Sequence, residues 1–444
     1  MSCIFVFLGQ AGNQVGNEFI KLLNGEKISK KSKGFFDTYF NTTYSKARVV
    51  MVDAEPKVIK SILDEEKKSK LSIYNPKNVV YSESGCGNNW ALGYNFKGKV
   101  KNLTSNIALS ETESLLEETM ERIRREIECC DIVQSIFVFH SMGGGTGSGF
   151  GSRVVEEIRN KYPNYYVFTV SIAPFQHGDT PLQHYNCLLT LNHIHEHSDG
   201  VFLFVNDDIL RSITKNAKRN NAGHSTLLDV SYSVSDINKY ISSCLCGMLL
   251  PIYNKDSKSH TPFDAFSLVN QVIPLKDTNF VELHTSALIT HNAAQFTSWQ
   301  YIAEDLTKHV PIYDIGHANI RTIFSKTFIR GGLQTSHDLN IVKSVLQKQA
   351  FSPVDWMYDR KEEFNNVVSS EEALKSYKLP YSLTVCANRT SFMELFNRVL
   401  TKSYTMLQSG AYINWYERHG LEREDFDNAI CNLQSVVDHY VELM

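Results

Sequence analysis

A doubly wound, mostly parallel α/β sheet, followed by a core helix, a smaller α/β region and a C-terminal helical hairpin, is predicted by three features of this 444-residue chain. Short β-rich runs alternate with helical patterns through the first half, glycine clusters fall where those runs end, and a polar break near residue 254 precedes a β-rich stretch. Strands alternating with helices favour a parallel sheet, and such sheets bind ligands beyond the carboxyl ends of their strands.

The elements follow in order. Ile4–Leu8 is an apolar run that reads as a buried strand, and Asn13–Leu23 carries Val15, Phe19, Leu22 and Leu23 at helical spacing. The lysine-rich stretch Asn24–Lys46 lacks periodicity and reads as a solvated surface loop. Val49–Val52 is a second strand, residues 111–129 a long helix, Ile136–Phe139 a third strand and Phe150–Lys161 a helix. Tyr166–Ile172 and Gly200–Val205 complete the strands, with a helix over Pro181–His197 between them. Val234–Pro251 reads as a core helix, Asn254–His260 as a polar break, and Ser391–Gln408 with Glu422–Leu443 as helices joined by a turn at Gly420. The expected division is 1–233, 234–253, 254–390 and 391–444.

Composition narrows the function. A net charge of -3 is nearly neutral for this length, which argues against nucleic acid or a membrane surface as a partner. No window offers about 18 uninterrupted apolar residues, so no membrane span is expected. The nine cysteines are odd in number and lack paired C-x-x-C units, which points to a reducing compartment rather than to a disulfide framework or zinc. Cys244 and Cys246 read as core packing, as do Trp415 and Tyr416. His193, His195 and His197 lie on a helix with only His193 and His197 on one face, which favours surface histidines over a metal site.

The chemistry concentrates in Gly143-Gly144-Gly145-Thr146-Gly147-Ser148-Gly149, directly after a strand and before a helix. Glycines let backbone N–H groups approach an anion, and the following helix N-terminus adds its dipole. The run has neither the lysine of a Walker A loop nor the spacing of a dinucleotide fingerprint, which argues against an oxidoreductase. A second turn, Gly9-Gln10-Ala11-Gly12-Asn13-Gln14, joins the first strand to the first helix, and two such turns on one sheet suggest a composite phosphate cradle. Asp53 and Glu55, after the second strand, suit a water-mediated Mg²⁺, while an N-cap role before Pro56 is compatible with it. The loop Gly85–Trp90 adds amide donors.

Together these motifs resemble the tubulin superfamily. The run 143–149 is similar to the tubulin signature, and Gly9-Gln10, Gly12-Asn13-Gln14, Asp53-x-Glu55-Pro56, Gly87–Ala91, Asp179-Thr180, Tyr185-Asn186, Asn206 and Ala411–Tyr416 fall in tubulin order. Val52–Ile59, Ser235–Asn238 and Gly420–Phe426 are similar to the delta branch, whereas His140-Ser141-Met142 is closer to the epsilon branch. The ending Glu442-Leu443-Met444 lacks an alpha/beta-type acidic tail.

The resemblance implies a GTP/GDP-binding cytoskeletal protein with Mg²⁺. It assigns the phosphates to Gln10, Ala11, Ser141, Gly143, Gly144, Gly145, Thr146 and Gly147, with Asn88 and Asn89 at the terminal phosphates. Asp53 and Glu55 fall near the metal and Asp179 near the sugar. Asn206 and Asn238 read the guanine, for which an amide offers both a donor and an acceptor. Three positions depart from the alpha/beta pattern. Gln183 replaces a ribose-binding glutamate, and Val234 replaces an aromatic that stacks on the base, a loss of roughly 1–3 kcal/mol if single-strand stacking values transfer. Ser267 stands where the family places an acidic residue that assists hydrolysis in the neighbouring subunit, with Asp264 the remaining catalytic candidate. Expected partners are other tubulins through longitudinal contacts (alpha and beta, or epsilon) and centriolar or basal-body proteins. A tubulin-like scaffold without turnover is the alternative.

Overall fold

The computed structural model describes residues 1–30, 35–98, 101–102, 114–178, 180–220, 233–255, 259–286, 298–311, 313, 320–333, 336–357, 364–377 and 379–444. The chain folds as two compact units, one of Met1–Asn17, Phe36–Phe202 and Leu395–His439, the other of Glu18–Phe35, Leu203–Glu394 and Tyr440–Met444.

The first part of the chain runs β1 (Ser2–Leu8), α1 (Gly9–Lys30), β2 (Val49–Asp53), α2 (Lys57–Lys68), β3 (Val79–Tyr81), α3 (Trp90–Tyr94), β4 (Lys101–Asn102), α4 (Leu115–Glu128), β5 (Val133–Ser141), α5 (Gly151–Lys161), β6 (Tyr166–Ala173), α6 (Gln183–His197) and β7 (Gly200–Val205). The strands lie in the order β4-β3-β2-β1-β5-β6-β7. β1 pairs in parallel with β2 and β5, as do β2 with β3 and β5 with β6, while β4 is antiparallel to its neighbour β3. Every residue of β1 is buried, which is why its sequence is a continuous apolar run rather than an alternating one. The order runs outward from β1 through β2 and β3 on one side, and through β5 to β7 on the other. The switch point therefore falls between β1 and β5, and both glycine turns follow those two strands.

The second part adds α7 (Asn206–Asn220), α8 (Val234–Leu249), β8 (Ile252–Asn254), β9 (Ser259–Thr261), α9 (Ala265–Val272), β10 (Phe280–Thr285), α10 (Trp299–His309), β11 (Thr322–Arg330), α11 (Ser336–Gln349), β12 (Phe364–Ser369) and β13 (Ser382–Arg389). Within the second unit the order is β12-β11-β13-β10, with β13 antiparallel to both neighbours and β12 parallel to β11. α8 is buried almost throughout from Ile237 to Leu249. Its C-terminus is closed by Arg330, itself buried, whose Nε and Nη1 donate to the carbonyls of Gly247 (3.0 Å) and Pro251 (2.8 Å), while Nη2 donates to Leu250. α12 (Met393–Gln408), α13 (Ile413–Glu417) and α14 (Arg423–Glu442) end the chain.

Two expectations need correction. The stretch Asn24–Lys46 is not a loop throughout, because α1 continues to Lys30 and a 3₁₀ turn forms at Phe35–Thr38. Glu26 is buried and accepts the amides of Lys375 (3.2 Å) and Ser376 (2.8 Å), a tertiary anchor that holds the polar end of α1 helical. The break at Asn254–His260 contains paired backbone, with Tyr253 opposite His260 in the β8–β9 ladder.

Candidate functional site

The two glycine turns meet. Gly9 has φ +71°, and a Cβ there would lie 2.9 Å from the Gly147 nitrogen. Three glycines of the run are required by close backbone packing: a Cβ on Gly145 would lie 2.5 Å from the Cys86 carbonyl oxygen, on Gly147 2.9 Å from the Ser141 nitrogen, and on Gly149 1.9 Å from the Trp90 carbonyl oxygen. Gly143 faces Pro174 at 3.0 Å. Gly144 differs, since its nearest neighbours are Asn88 Oδ1 and Ser141 Oγ, both at 3.9 Å. The open face of the loop is thus Gly144 between Asn88 and Ser141. Thr146–Phe150 winds as one π-helical turn leading into α5, and such turns recur at functional sites.

His140 supports the loop from below. It is wholly buried, its Nδ1 lies 3.1 Å from the Gly147 carbonyl and its Nε2 2.8 Å from Ser171 Oγ. A carbonyl can only accept, so Nδ1 carries the proton and Nε2 accepts from the serine. Burial pushes the imidazole down to about 4, so the ring is neutral at physiological pH. A histidine whose folded value lies below its unfolded one contributes stability that is full above about pH 6.5 and is lost as pH falls toward 4, here about 3 kcal/mol. Asp53 titrates in the opposite sense, so the diagnostic quantity is the difference between wild type and His140→Gln. That difference, measured by denaturant titration, is expected to shrink steadily from pH 7 to pH 4.

The β1 and β2 ends are tied by Asn13, whose Nδ2 donates to the carbonyls of Gly9 (2.8 Å) and Val52 (2.9 Å), while its buried Oδ1 has no partner. Asp53 follows Val52. It is 4% exposed, and burial, with the Glu55 charge adding to it, pushes its carboxyl up to about 7 although the Glu55 amide donates to Oδ1 at 3.3 Å. Glu55 is exposed beside Gly85. Among the described residues no group of three or more His, Cys, Asp or Glu forms a cage for a metal. Two carboxylates, one of them desolvated, fit an ion whose remaining ligands are water and phosphate. Cys86, its thiol pushed up to about 12 by burial, takes a hydrogen bond from Thr146 and closes the gap between loop and carboxylates.

Residues 2–214 match the family described as Tubulin/FtsZ family, GTPase domain. The chain carries a Tubulin/FtsZ-family GTPase domain. Along its whole length it is 27% identical to the human tubulin delta chain and 26% to that of Macaca fascicularis, each covered completely. It is also 26% identical to the nucleomorph tubulin beta chain of Guillardia theta over 98% of this chain and 95% of the relative. Delta and beta chains stand at the same distance, so identity alone does not select a branch. The family is cytoskeletal and its domain binds guanine nucleotide. No helix among the described residues is long and apolar enough to cross a membrane.

With the tubulin family in view, the remaining site residues sort by what their side chains touch. Gln10 is exposed and Ala11 half-buried at the start of α1. Asn88 is exposed with φ +53°, so its side chain is available at the open face. Asn89 is committed elsewhere: its Oδ1 caps α3 at Leu92 N (3.1 Å) and its Nδ2 donates to the Trp415 carbonyl (3.0 Å). Gln183 is also engaged, donating from Nε2 to the carbonyls of Phe175 and Gln176, both at 3.3 Å. Asp179 lies outside the described residues.

Asn206, Val234 and Asn238 belong to the second unit. Asn206 opens α7, Asn238 is buried in α8, and Val234 is 57% exposed behind the Ser233–Asp236 capping box. Asp264 caps α9 by accepting the Ser267 amide at 3.3 Å. Ser267 Oγ in turn accepts from the Lys326 amine at 2.9 Å, an amine that burial holds below the usual lysine range. The position expected to be acidic therefore presents a hydroxyl paired with a cation. His193 is half-buried rather than fully exposed: it packs on Trp90 (4.8 Å) and Tyr94 (5.3 Å), and burial lowers its basicity. Asn186, marked in the sequence only by its place in Tyr185-Asn186, is the residue whose role composition and spacing do not reveal. It is wholly buried and bonded on all sides.

Proposed function

We propose that this chain is a GTP-binding tubulin-type subunit whose phosphate cradle is the pair of turns at Gly9–Asn13 and Gly143–Ser148. The observation that supports it is the open face at Gly144, flanked by Asn88 and Ser141, beside glycines whose missing side chains let two turns meet at the strand-order switch point. Gln10, Ala11 and Ser141 contribute further donors. Asp53 and Glu55 hold Mg²⁺ largely through water, and the ion offsets phosphate charge. Asn206 and Asn238 read the guanine, and Asp179 engages the sugar. Gln183 orders the segment after β6 rather than supplying a charge to the ribose, and Asn89 acts as a cap rather than as a phosphate ligand.

Nucleotide turnover driven by this chain in a neighbour is slow in this proposal. A carboxylate is needed to orient and deprotonate water, and Ser267 with Lys326 supplies none. Asp264, already a helix cap, is the one acid of α9's first turn region that remains for that role. The delta-like stretches Val52–Ile59, Ser235–Asn238 and Gly420–Phe426 support a place at centrioles or basal bodies, in triplet-microtubule assembly or stability, with alpha-, beta- or epsilon-tubulin as longitudinal partners.

The deciding experiment denatures the purified protein and identifies what it releases. About one GTP or GDP per chain is expected. An empty protein that also takes up no GTP with Mg²⁺ overturns the proposal and leaves a scaffold. GTP turnover measured with and without added alpha/beta-tubulin then tests the hydrolysis claim, since a large stimulation of the partner's turnover would contradict it.

A further inference from the structure

Asn186 joins the cradle to the C-terminal helix α13. Its Nδ2 donates to the carbonyls of Asn88 (2.8 Å), which faces Gly144, and of Gly143 (2.9 Å), which precedes it. Its Oδ1 accepts the Trp90 amide (2.9 Å) and the Tyr416 hydroxyl (2.8 Å). Both donor hydrogens and both lone pairs of the amide are therefore used, inside a fully buried site. The Gly143 carbonyl and the Gly144 N–H share one planar trans peptide and point in opposite directions. Holding that carbonyl on Asn186 fixes the plane of the peptide and turns the Gly144 N–H away from Asn186. A second strut runs from Asn89 Nδ2 to the Trp415 carbonyl, so two consecutive residues of α13 hang from the cradle's loops. On the outer side the Trp415 indole is 56% exposed, while the Tyr416 ring is buried edge-on against Tyr185 (5.6 Å) and Phe426 (5.3 Å).

We propose that Asn186 is a positioning residue that couples the phosphate cradle to α13, so that nucleotide occupancy and the placement of Trp415 depend on one another. Such coupling is reciprocal: whatever fixes α13 slows nucleotide release, and bound nucleotide steadies α13. The inference rests on the GTP-binding reading and adds to it an output on the outer surface.

The test uses the full chain loaded with a fluorescent N-methylanthraniloyl GTP and Mg²⁺, with release followed on adding excess GTP. Tyr416→Phe removes one hydroxyl and keeps the ring packing. It is expected to speed release about fivefold, the worth of one buried hydrogen bond, with the melting temperature nearly unchanged. Asn186→Asp keeps the acceptor toward Trp90 and Tyr416 but faces two carbonyls with an oxygen, and release rises on the order of 100-fold. Tyr416→Phe added to Asn186→Asp should then do nothing further, and the Trp415 emission change on nucleotide loading should vanish in both. Unchanged release in Tyr416→Phe, or full additivity of the two substitutions, overturns the coupling. Should Asn186→Asp not fold, Tyr416→Phe alone decides. Wild-type protein that takes up no nucleotide sinks the GTP reading itself, a result distinct from normal uptake with uncoupled release.

Discussion

Gly144→Ala is expected to leave the protein folded and to weaken GTP binding by roughly 5- to 150-fold, the range that 1–3 kcal/mol of overpacking spans. The added methyl meets nothing in the protein closer than 3.9 Å, and the backbone there is not left-handed, so the substitution strains no part of the fold. What it fills is the space between Asn88 and Ser141. Gly149→Ala is the matched control, because its methyl would stand 1.9 Å from the Trp90 carbonyl oxygen and must displace α3. Thermal melting separates the two: Gly144→Ala should melt with wild type, and Gly149→Ala well below it. Gly144→Ala that binds nucleotide as tightly as wild type would move the anion site elsewhere.

Arg330→Ala is the substitution with the largest expected effect on stability. Its guanidinium closes the C-terminus of α8, where carbonyls lack helical partners and carry the negative end of the dipole. Removing it strands the carbonyls of Gly247, Leu250 and Pro251 away from water, at a cost of about 3 kcal/mol or more. Arg330→Lys keeps the charge but replaces a planar fork with a single point, and should recover only part. Hydrogen exchange along α8 reads this directly, and α8 amides that exchange as slowly in Arg330→Ala as in wild type would refute it.

The sheet was legible because burial on both faces leaves its mark locally: Ile4–Leu8 and Ile136–Phe139 are apolar without interruption, and glycines follow, at once after Leu8 and after three intervening residues beyond Phe139. The tubulin motifs were legible for the same reason, being contiguous. What could not be read is every role fixed by a distant partner. Nothing near Gly145 announces Cys86, so packing glycines and the ligand-facing Gly144 look alike in the run. Asn89 reads as a phosphate donor until the Trp415 carbonyl, 326 residues away in sequence, is seen to take its amide. The helical course of Asn24–Lys30 depends on Glu26 reaching residues 375 and 376, and a lysine-rich composition hides it. His193 looked exposed because its aromatic neighbours, Trp90 and Tyr94, come from another element.

The π-helical turn at Thr146–Phe150 constrains how this region tolerates changes in length. An α-helix advances about 100° per residue. A π-helical turn holds about one residue more than an α-helical one, so deleting one residue from it would let it relax to α-helical winding with α5 facing nearly as it does now. A residue removed from α5 just beyond the turn finds no such slack and would rotate the rest of the helix by that angle. Ile158, fully buried now, would swing toward water. As far as the hydrophobic core is concerned, a change of length is absorbed in the turn and refused in α5, even in a descendant that no longer needs the nucleotide.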